Sequence, residues 1–329
     1  MARRSQRSKK KILILVLVLL FVIGIAILVL QEFESQPKEE WDDSLSQSSI
    51  GQITYDGKQY SYNNDLTNIL FLGIDNSSGM KDDNMPSEAG QSDCIILLTL
   101  DKSKKEARIL QIPRDTMTEV DIYDSGGTVY STIQGQVALQ YAYSIGGVSS
   151  CMATKKTVSE LLYDLPIDGY LAMDYTKIAT VNDAIGGVEI TVPQDYTMIN
   201  SAFTEGTTLK LMGDQAHDYV RWRDTNQSYS LYDRMDRQVQ YILAMLESLQ
   251  VYVKENKNDY TGLYTIVEEN MVTNLSEEQI EKLLEYQLDT KNIEILPGEA
   301  QKGEVYEEFH INEENLQKKL IEMFYILEK

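Results

Sequence analysis

Four arginines, Arg221, Arg223, Arg234 and Arg237, fall within 17 residues of a chain that is otherwise strongly acidic. Arginine concentrated against the net charge suits an anion pocket, because the planar guanidinium donates bidentately to phosphate oxygens, which lysine cannot match. Arg221 and Arg223 flank Trp222, and Arg234 and Gln238 are four apart, so they share one face of a helix. Arg114 and Asp115 follow Pro113 at the end of an apolar run, which places another guanidinium on a sheet rim. Asp75 closes LGID and Asp93 directly precedes CIILLTL, so two carboxylates sit at strand edges, and such a pair can chelate Mg²⁺. Each feature has a plainer use when read alone. Aspartate caps turns, Arg114 can form a structural ion pair, and the later arginines can pair with Asp224, Asp233 and Asp236 on a solvated helix face.

Other chemistries find no support. His217 and His310 are the chain's 2 histidines and are isolated in sequence, no Ser-His-Asp set is visible, and Gly146-Gly147 and Gly186-Gly187 lack phosphate-loop spacing. With only 2 cysteines, Cys94 and Cys151, and 2 histidines, the chain offers few ligands for a zinc site, and a bridge between the cysteines is no better supported than two buried thiols. The composition, 51 acidic against 30 basic residues and a net charge of -21, argues against a nucleic-acid partner.

The elements that must position these residues read as a mixed α/β fold. NILFLGI (68–74), CIILLTL (94–100) and ARILQIP (107–113) are short continuous apolar runs typical of buried strands, the last two joined by the polar turn DKSKKE as a hairpin. Helical spacing appears in 136–145, 153–165, 175–185, 213–223 and 233–253, with strands at 167–173 and 188–192 between them. Ser276 with Gln279 forms a capping-box pattern opening a helix over 276–286, and 313–327 reads as a closing amphipathic helix. Interleaved strands and helices imply a mixed central sheet with helices on its faces.

Upstream, Ile12–Leu30 is an uncharged run of 19 residues, enough to span a bilayer as a helix. Six Lys/Arg between Arg3 and Lys11 precede it, so the basic tail (1–11) is expected to stay cytoplasmic and everything beyond the single-pass anchor (12–30) to be extracytoplasmic. A cleaved signal peptide would carry a shorter apolar stretch and a small-residue cleavage site. Residues 31–66, rich in Ser, Gln, Asn and acids, read as an extracytoplasmic linker, leaving 67–329 as the functional domain.

Together NILFLGID (68–75), QSDCIILLTLD (91–101), ILQIPRD (109–115), IDGYLAMDYTKIATVNDAIGGVEITV (167–192), LMGDQAHDYVRWRD (211–224) and DRMDRQ (233–238) resemble the LytR-CpsA-Psr family of exported cell-wall ligases, in the family's order. The resemblance implies an αβα catalytic domain on the cell membrane of a Gram-positive bacterium. It implies a transferase that moves a glycopolymer, of teichoic acid or capsular polysaccharide type, from a polyprenyl-diphosphate carrier to peptidoglycan. Carried over by position, it assigns Asp75 and Asp93 to Mg²⁺, with Arg114, Arg221, Arg223, Arg234 and Gln238 gripping the diphosphate. Asp75 is a possible base on the acceptor hydroxyl, with Asp115 and Asp233 as alternatives.

The polyprenyl tail requires an apolar groove, expected between the sheet and helices 136–145, 153–163 or 239–249. This chain departs from the family pattern at Gln91 and Asn76, where arginine is usual, and at Leu231, where an acid is usual and Asp233 lies near. Two missing charges imply weaker diphosphate affinity or a different polymer. Two other functions fit the same residues: a diphosphatase with water as acceptor, and a membrane-anchored protein that binds lipid-linked glycan or attenuates gene expression without turnover. The short basic tail leaves no room for a folded DNA-binding domain.

Overall fold

A computed structural model of the chain describes residues 53–76, 80, 89–224, 230–257, 259–303 and 306–328. The stretches expected to be a cytoplasmic tail, a membrane anchor and the first part of a linker lie outside them. Among the described residues no helix is long and apolar enough to cross a membrane.

In chain order the elements are β1 (Ile53–Tyr55), β2 (Lys58–Tyr62), β3 (Leu66–Asp75), β4 (Gln91–Asp101), β5 (Glu106–Gln111), β6 (Met117–Tyr123), β7 (Val129–Gln136), α1 (Leu139–Ala142), α2 (Gly147–Leu161), β8 (Gly169–Asp174), α3 (Ile178–Ala184), β9 (Val188–Thr191) and β10 (Thr208–Leu211). There follow α4 (Asp214–Arg221), α5 (Ser230–Glu255), α6 (Thr261–Asn270), β11 (Met271–Thr273), α7 (Glu277–Leu283), β12 (Gln287–Ile295), β13 (Gly298–Lys302), β14 (Glu307–Ile311), α8 (Glu313–Phe324) and β15 (Tyr325–Leu327).

Six strands form the central mixed sheet in the order β11-β8-β3-β4-β5-β12. β3 runs parallel to β8 and antiparallel to β4, and β5 is antiparallel to β4 and parallel to β12. The continuous apolar runs of β3, β4 and β5 follow from burial of both sheet faces. One face, through Ile69, Cys94, Ile96 and Ile109, packs with residues of α3 to α7. The other, through Leu70, Leu72, Leu97 and Leu110, packs with Cys151 and Val158 of α2 and Leu316 and Leu320 of α8. The two cysteines are free, buried, and on opposite faces.

The β4–β5 hairpin is as expected, and its turn is held by Asp101, whose Oδ1 accepts from the Ser103 and Lys104 amides at 3.0 Å each. The capping box at Ser276 is also present, with Gln279 answering the Ser276 amide. Four expectations are corrected. Residues 136–145 are not one helix: Gln136 ends β7 and only Leu139–Ala142 turns as a helix, with Tyr141 buried against the second core. The helix expected over 153–165 runs from Gly147 to Leu161. The last helix stops at Phe324, because Tyr325–Leu327 extend as a strand against β2. Within the stretch read as a linker, β1 and β2 form a hairpin.

This topology sets the rim that matters. β3 leaves the sheet where β4 enters it, β5 leaves beside them, and β8, parallel to β3, ends at the same edge, with Ile74 opposite Asp174. Asp75, Asp93, Arg114 and Tyr175 therefore come to one rim from segments far apart in sequence.

Candidate active site

Asp93 is the centre of the rim. It does not precede a strand, as its sequence position suggested, but lies within β4 at an irregularity: Ile74 pairs with Ser92 and Gly73 with Cys94, leaving Asp93 as the extra residue. A bulge re-aims a side chain out of strict alternation. The Asp93 carboxylate, 6% exposed, takes Arg114 Nη1 on Oδ1 and Arg234 Nη1 on Oδ2, the latter at 2.8 Å. Arg234 comes from the second turn of α5 and is 4% exposed, and its Nε and Nη2 are buried with no hydrogen-bond partner among the described residues. Burial opposes the Arg234 charge, but Asp93 outweighs it and holds the guanidinium pKa above its usual value.

Arg114 also donates to Gln91 Oε1, and its Nε lies 3.2 Å from Asp115 Oδ1. Gln91, where the family usually carries arginine, here orients Arg114. Asn76, the other departure, is buried and donates to the Ala89 carbonyl at 2.8 Å, tying together the two ends of the segment between β3 and β4. Asp115 Oδ2 is 4.0 Å from Arg223, whose Nη2 donates to Glu307 Oε2 at 2.6 Å and whose Nε donates to Ser230 Oγ at 3.1 Å. Burial raises the Asp115 pKa, against the opposing pull of Arg114, Arg223 and Arg234. Asp75 continues the alternation of Ile69, Phe71 and Gly73 and is half-exposed, with Arg221 Nη2 3.1 Å from its Oδ1.

Arg237 has a different task. Its side chain is fully buried and donates to the Tyr219 carbonyl at 2.8 Å, to the Trp222 carbonyl and to Asp233 Oδ2. It also stacks against Tyr196, 4.8 Å from the ring centroid. It fastens the end of α4 to α5 and so positions Arg221 and Arg223. Asp233 is occupied by Arg237, by Tyr196 Oη at 2.8 Å and by Gln194 at 2.7 Å, which makes it a structural hub rather than a free base.

On the inner side of this rim opens an apolar cavity between the sheet and α3, α5, α6 and α7. Phe71, Ile96, Met173, Ile242, Met245 and Ile280 are among its walls, and Gln238, Tyr175 and Tyr241 are the lining side chains that carry polar atoms. Of the three helical segments expected to line such a groove, 239–249 does so, whereas 136–145 and 153–163 pack on the opposite sheet face. Gln238 donates to Tyr175 Oη at 2.8 Å and to the Val220 carbonyl at 3.3 Å.

Asp93, Arg114, Asp115, Arg223 and Arg234 thus form one connected network, with Asp75–Arg221 as a separate pair on the rim. Glu307 and Tyr175 were not found by sequence reasoning. Glu307 lies 84 residues beyond Arg223, with no local motif to mark it. Tyr175 carried a signal, an aromatic hydroxyl directly after a strand that ends on the rim.

The cluster sets four arginines against four carboxylates, Asp75, Asp93, Asp115 and Glu307, so it carries little net charge with which to hold a diphosphate. A divalent cation would supply the missing charge, and Asp75 and Asp93 offer hard oxygens for Mg²⁺, which would share them with Arg221, Arg114 and Arg234. Among the described residues no group of three or more His, Cys, Asp or Glu is placed to hold a metal, so such an ion would complete its shell with phosphate oxygens and water.

Known proteins are similar to this chain in sequence and fold. A teichoic acid transferase of Enterococcus faecalis, "polyisoprenyl-teichoic acid–peptidoglycan teichoic acid transferase TagU", is 28% identical over 248 residues, 74% of each chain. The TagV transferase of Bacillus subtilis is 30% identical over 188 residues, 55% of this chain and 43% of its own. A solved structure described as TagT bound to LI-WTA superposes with a TM-score of 0.56 at 25% identity, covering 78% of this chain and 89% of that one. The structure of B. subtilis TagU gives 0.56 at 20% identity, over 79% and 95%, and shares the fold. Residues 28–323 match the LytR-CpsA-Psr family, and the chain belongs to it.

Proposed function

We propose that this protein is a membrane-anchored, extracytoplasmic transferase that moves a glycopolymer, of teichoic acid or capsular polysaccharide type, from a polyprenyl-diphosphate carrier to peptidoglycan. One observation carries the reading: a cavity walled almost wholly by apolar side chains opens beside a buried arginine whose Nε and Nη2 have no acceptor among the described residues. A ligand with a long apolar tail and an anionic head satisfies both at once. The names of the relatives support the same substrate class.

In the reaction an acceptor hydroxyl oxygen bonds to the glycan-side phosphorus as the bond from that phosphorus to the bridging oxygen breaks, and polyprenyl phosphate leaves. Such transfer depends on positioning and on neutralising phosphate charge more than on covalent chemistry by the protein. Arg234 and Arg114 hold the head group at the cavity mouth, Arg221 and Arg223 flank it from the end of α4, and Gln238 fixes the inner boundary. Asp75 and Asp93 would hold Mg²⁺, which when bound offsets the charge gathering on the phosphate oxygens. Asp75 is the carboxylate open to an incoming hydroxyl and is the one suited to take its proton. Asp115 is buried behind the arginines.

The test incubates the full chain with a polyprenyl-diphosphate-linked saccharide, peptidoglycan oligomers and Mg²⁺, with products followed by mass spectrometry. A phosphodiester-linked conjugate that disappears with Arg221→Ala and on chelation is expected. Polyprenyl phosphate without conjugate would make the protein a diphosphatase, and tight lipid binding without turnover would make it a binding protein.

A further inference from the structure

Tyr175 sits where the apolar cavity meets the charged rim. Its ring lies against Gly73, where a Cβ would stand 2.8 Å from Cε1, 3.3 Å from the hydroxyl and 2.9 Å from the Cys94 side chain. The ring is therefore packed over β3 at Gly73, two residues before Asp75 and beside Cys94, the neighbour of Asp93, and the residue is nearly fully buried at 3% exposure. The hydroxyl accepts from Gln238 Nε2, and the same Nε2 donates to the Val220 carbonyl, which fixes the amide with its nitrogen toward Tyr175. With Gln238 supplying a donor, the tyrosine must use its oxygen as the acceptor, and its O–H proton is left to point elsewhere.

Arg234 presents the same situation: Nη1 is spent on Asp93, while Nε and Nη2 are buried and have no acceptor among the described residues. The two groups act on each other electrostatically, each within range of Asp93. Buried donors left unpaired cost about 1–3 kcal/mol each, and are kept where a ligand completes them.

Resting on the transferase reading, we propose that Tyr175 is a further substrate-binding residue, its hydroxyl donating to the phosphate nearest the lipid and marking where the apolar tail ends and the diphosphate begins. The hydroxyl belongs to neither compartment alone. Its O–H can donate to an anion while its ring lies flush with an apolar wall, so it favours a phosphorylated prenyl chain over a bare prenyl alcohol. Gln238 acts through it, as the positioning residue that turns the proton outward.

The test measures binding of geranyl diphosphate and of geraniol to the full chain in lipid nanodiscs, for wild type and Tyr175→Phe. A hydrogen bond to a charged group contributes about 1.5–3 kcal/mol, so the phenylalanine variant should lose about tenfold or more in affinity for the diphosphate and nothing for the alcohol. Equal diphosphate affinity in the two proteins overturns this inference alone. Equal loss for both ligands overturns it too, by assigning Tyr175 to cavity packing. A wild type that does not bind the diphosphate sinks the donor-site reading as well. A fluorotyrosine at position 175 gives a readout that does not depend on how stable the variant is: its fluorine resonance should move with geranyl diphosphate and stay with geraniol, and an unmoved resonance with bound diphosphate contradicts the proposal.

Discussion

Asp93 receives two guanidiniums on its two oxygens and Asp115 bridges one of these, Arg114, to Arg223, so the rim is a network in which each charge is held by its opposite. Removing one partner of such a buried pair strands the other. Asp115 also gives the network a pH signature. Burial raises its pKa despite Arg114, Arg223 and Arg234, so the fold favours the protonated carboxyl relative to the unfolded chain. Its contribution to stability is complete below the unfolded value of about 4 and is lost as pH rises through the folded value. Asp115→Asn removes this dependence, so denaturant unfolding across that range should show wild type losing stability relative to the variant as pH rises. A wild type that gains on the variant would refute the assignment.

At this scale the sequence was legible by type. Arginines gathered in an acidic chain pointed to one charged cluster, and the structure joins Arg114, Arg223 and Arg234 through Asp93 and Asp115. It could not show that Gln91 serves Arg114, or that Glu307 completes Arg223, since those contacts form only when separate segments fold together.

At the scale of elements, β3 and β4 bring both aspartates to one rim, and their close approach depends on Gly73. A methyl there would meet the Tyr175 ring and the Cys94 side chain at under 3 Å. Overpacking of this kind costs about 1–3 kcal/mol, so Gly73→Ala should lower the unfolding temperature by several degrees and displace Tyr175. Unchanged stability with an unchanged tyrosine environment would show that the contact relaxes freely.

The buried strands were readable because both faces are covered, which makes them continuous apolar runs. The segment 136–145 was misread because Val137, Ala138 and Tyr141 are buried at helical spacing, yet they reach the core through a turn and a single helical turn following β7. Tyr325–Leu327 continued the helical pattern of α8 but pairs with β2, a tertiary choice that local periodicity does not encode.

At the scale of the whole molecule, the sheet divides the interior into two cores, and the one under α5, α6 and α7 opens as a cavity. Apolar helices on both faces look alike in sequence, so 136–145, 153–163 and 239–249 were equal candidates for a lipid groove. The difference lies in packing: α2 and α8 close against one face, while α5, α6 and α7 stand off the other. The cavity and the arginine rim share Tyr175 and Gln238, so a single elongated ligand can occupy both. Cys94 lies in that wall, and burial pushes its thiol up to about 12, so it is an inert apolar surface at neutral pH.

The central claim is that the donor's prenyl chain fills this cavity while its diphosphate rests on the arginines. Photoaffinity labelling with a prenyl diphosphate that carries a diazirine along its chain tests it most directly, with labelled peptides mapped by mass spectrometry. The account predicts labels on Ile242, Met245 and Leu246 of α5 and on Phe71 of β3, competed away by unlabelled prenyl diphosphate and lost with Arg234→Ala. Labels confined to the α2 and α8 face, or labels indifferent to the diphosphate competitor, would contradict it.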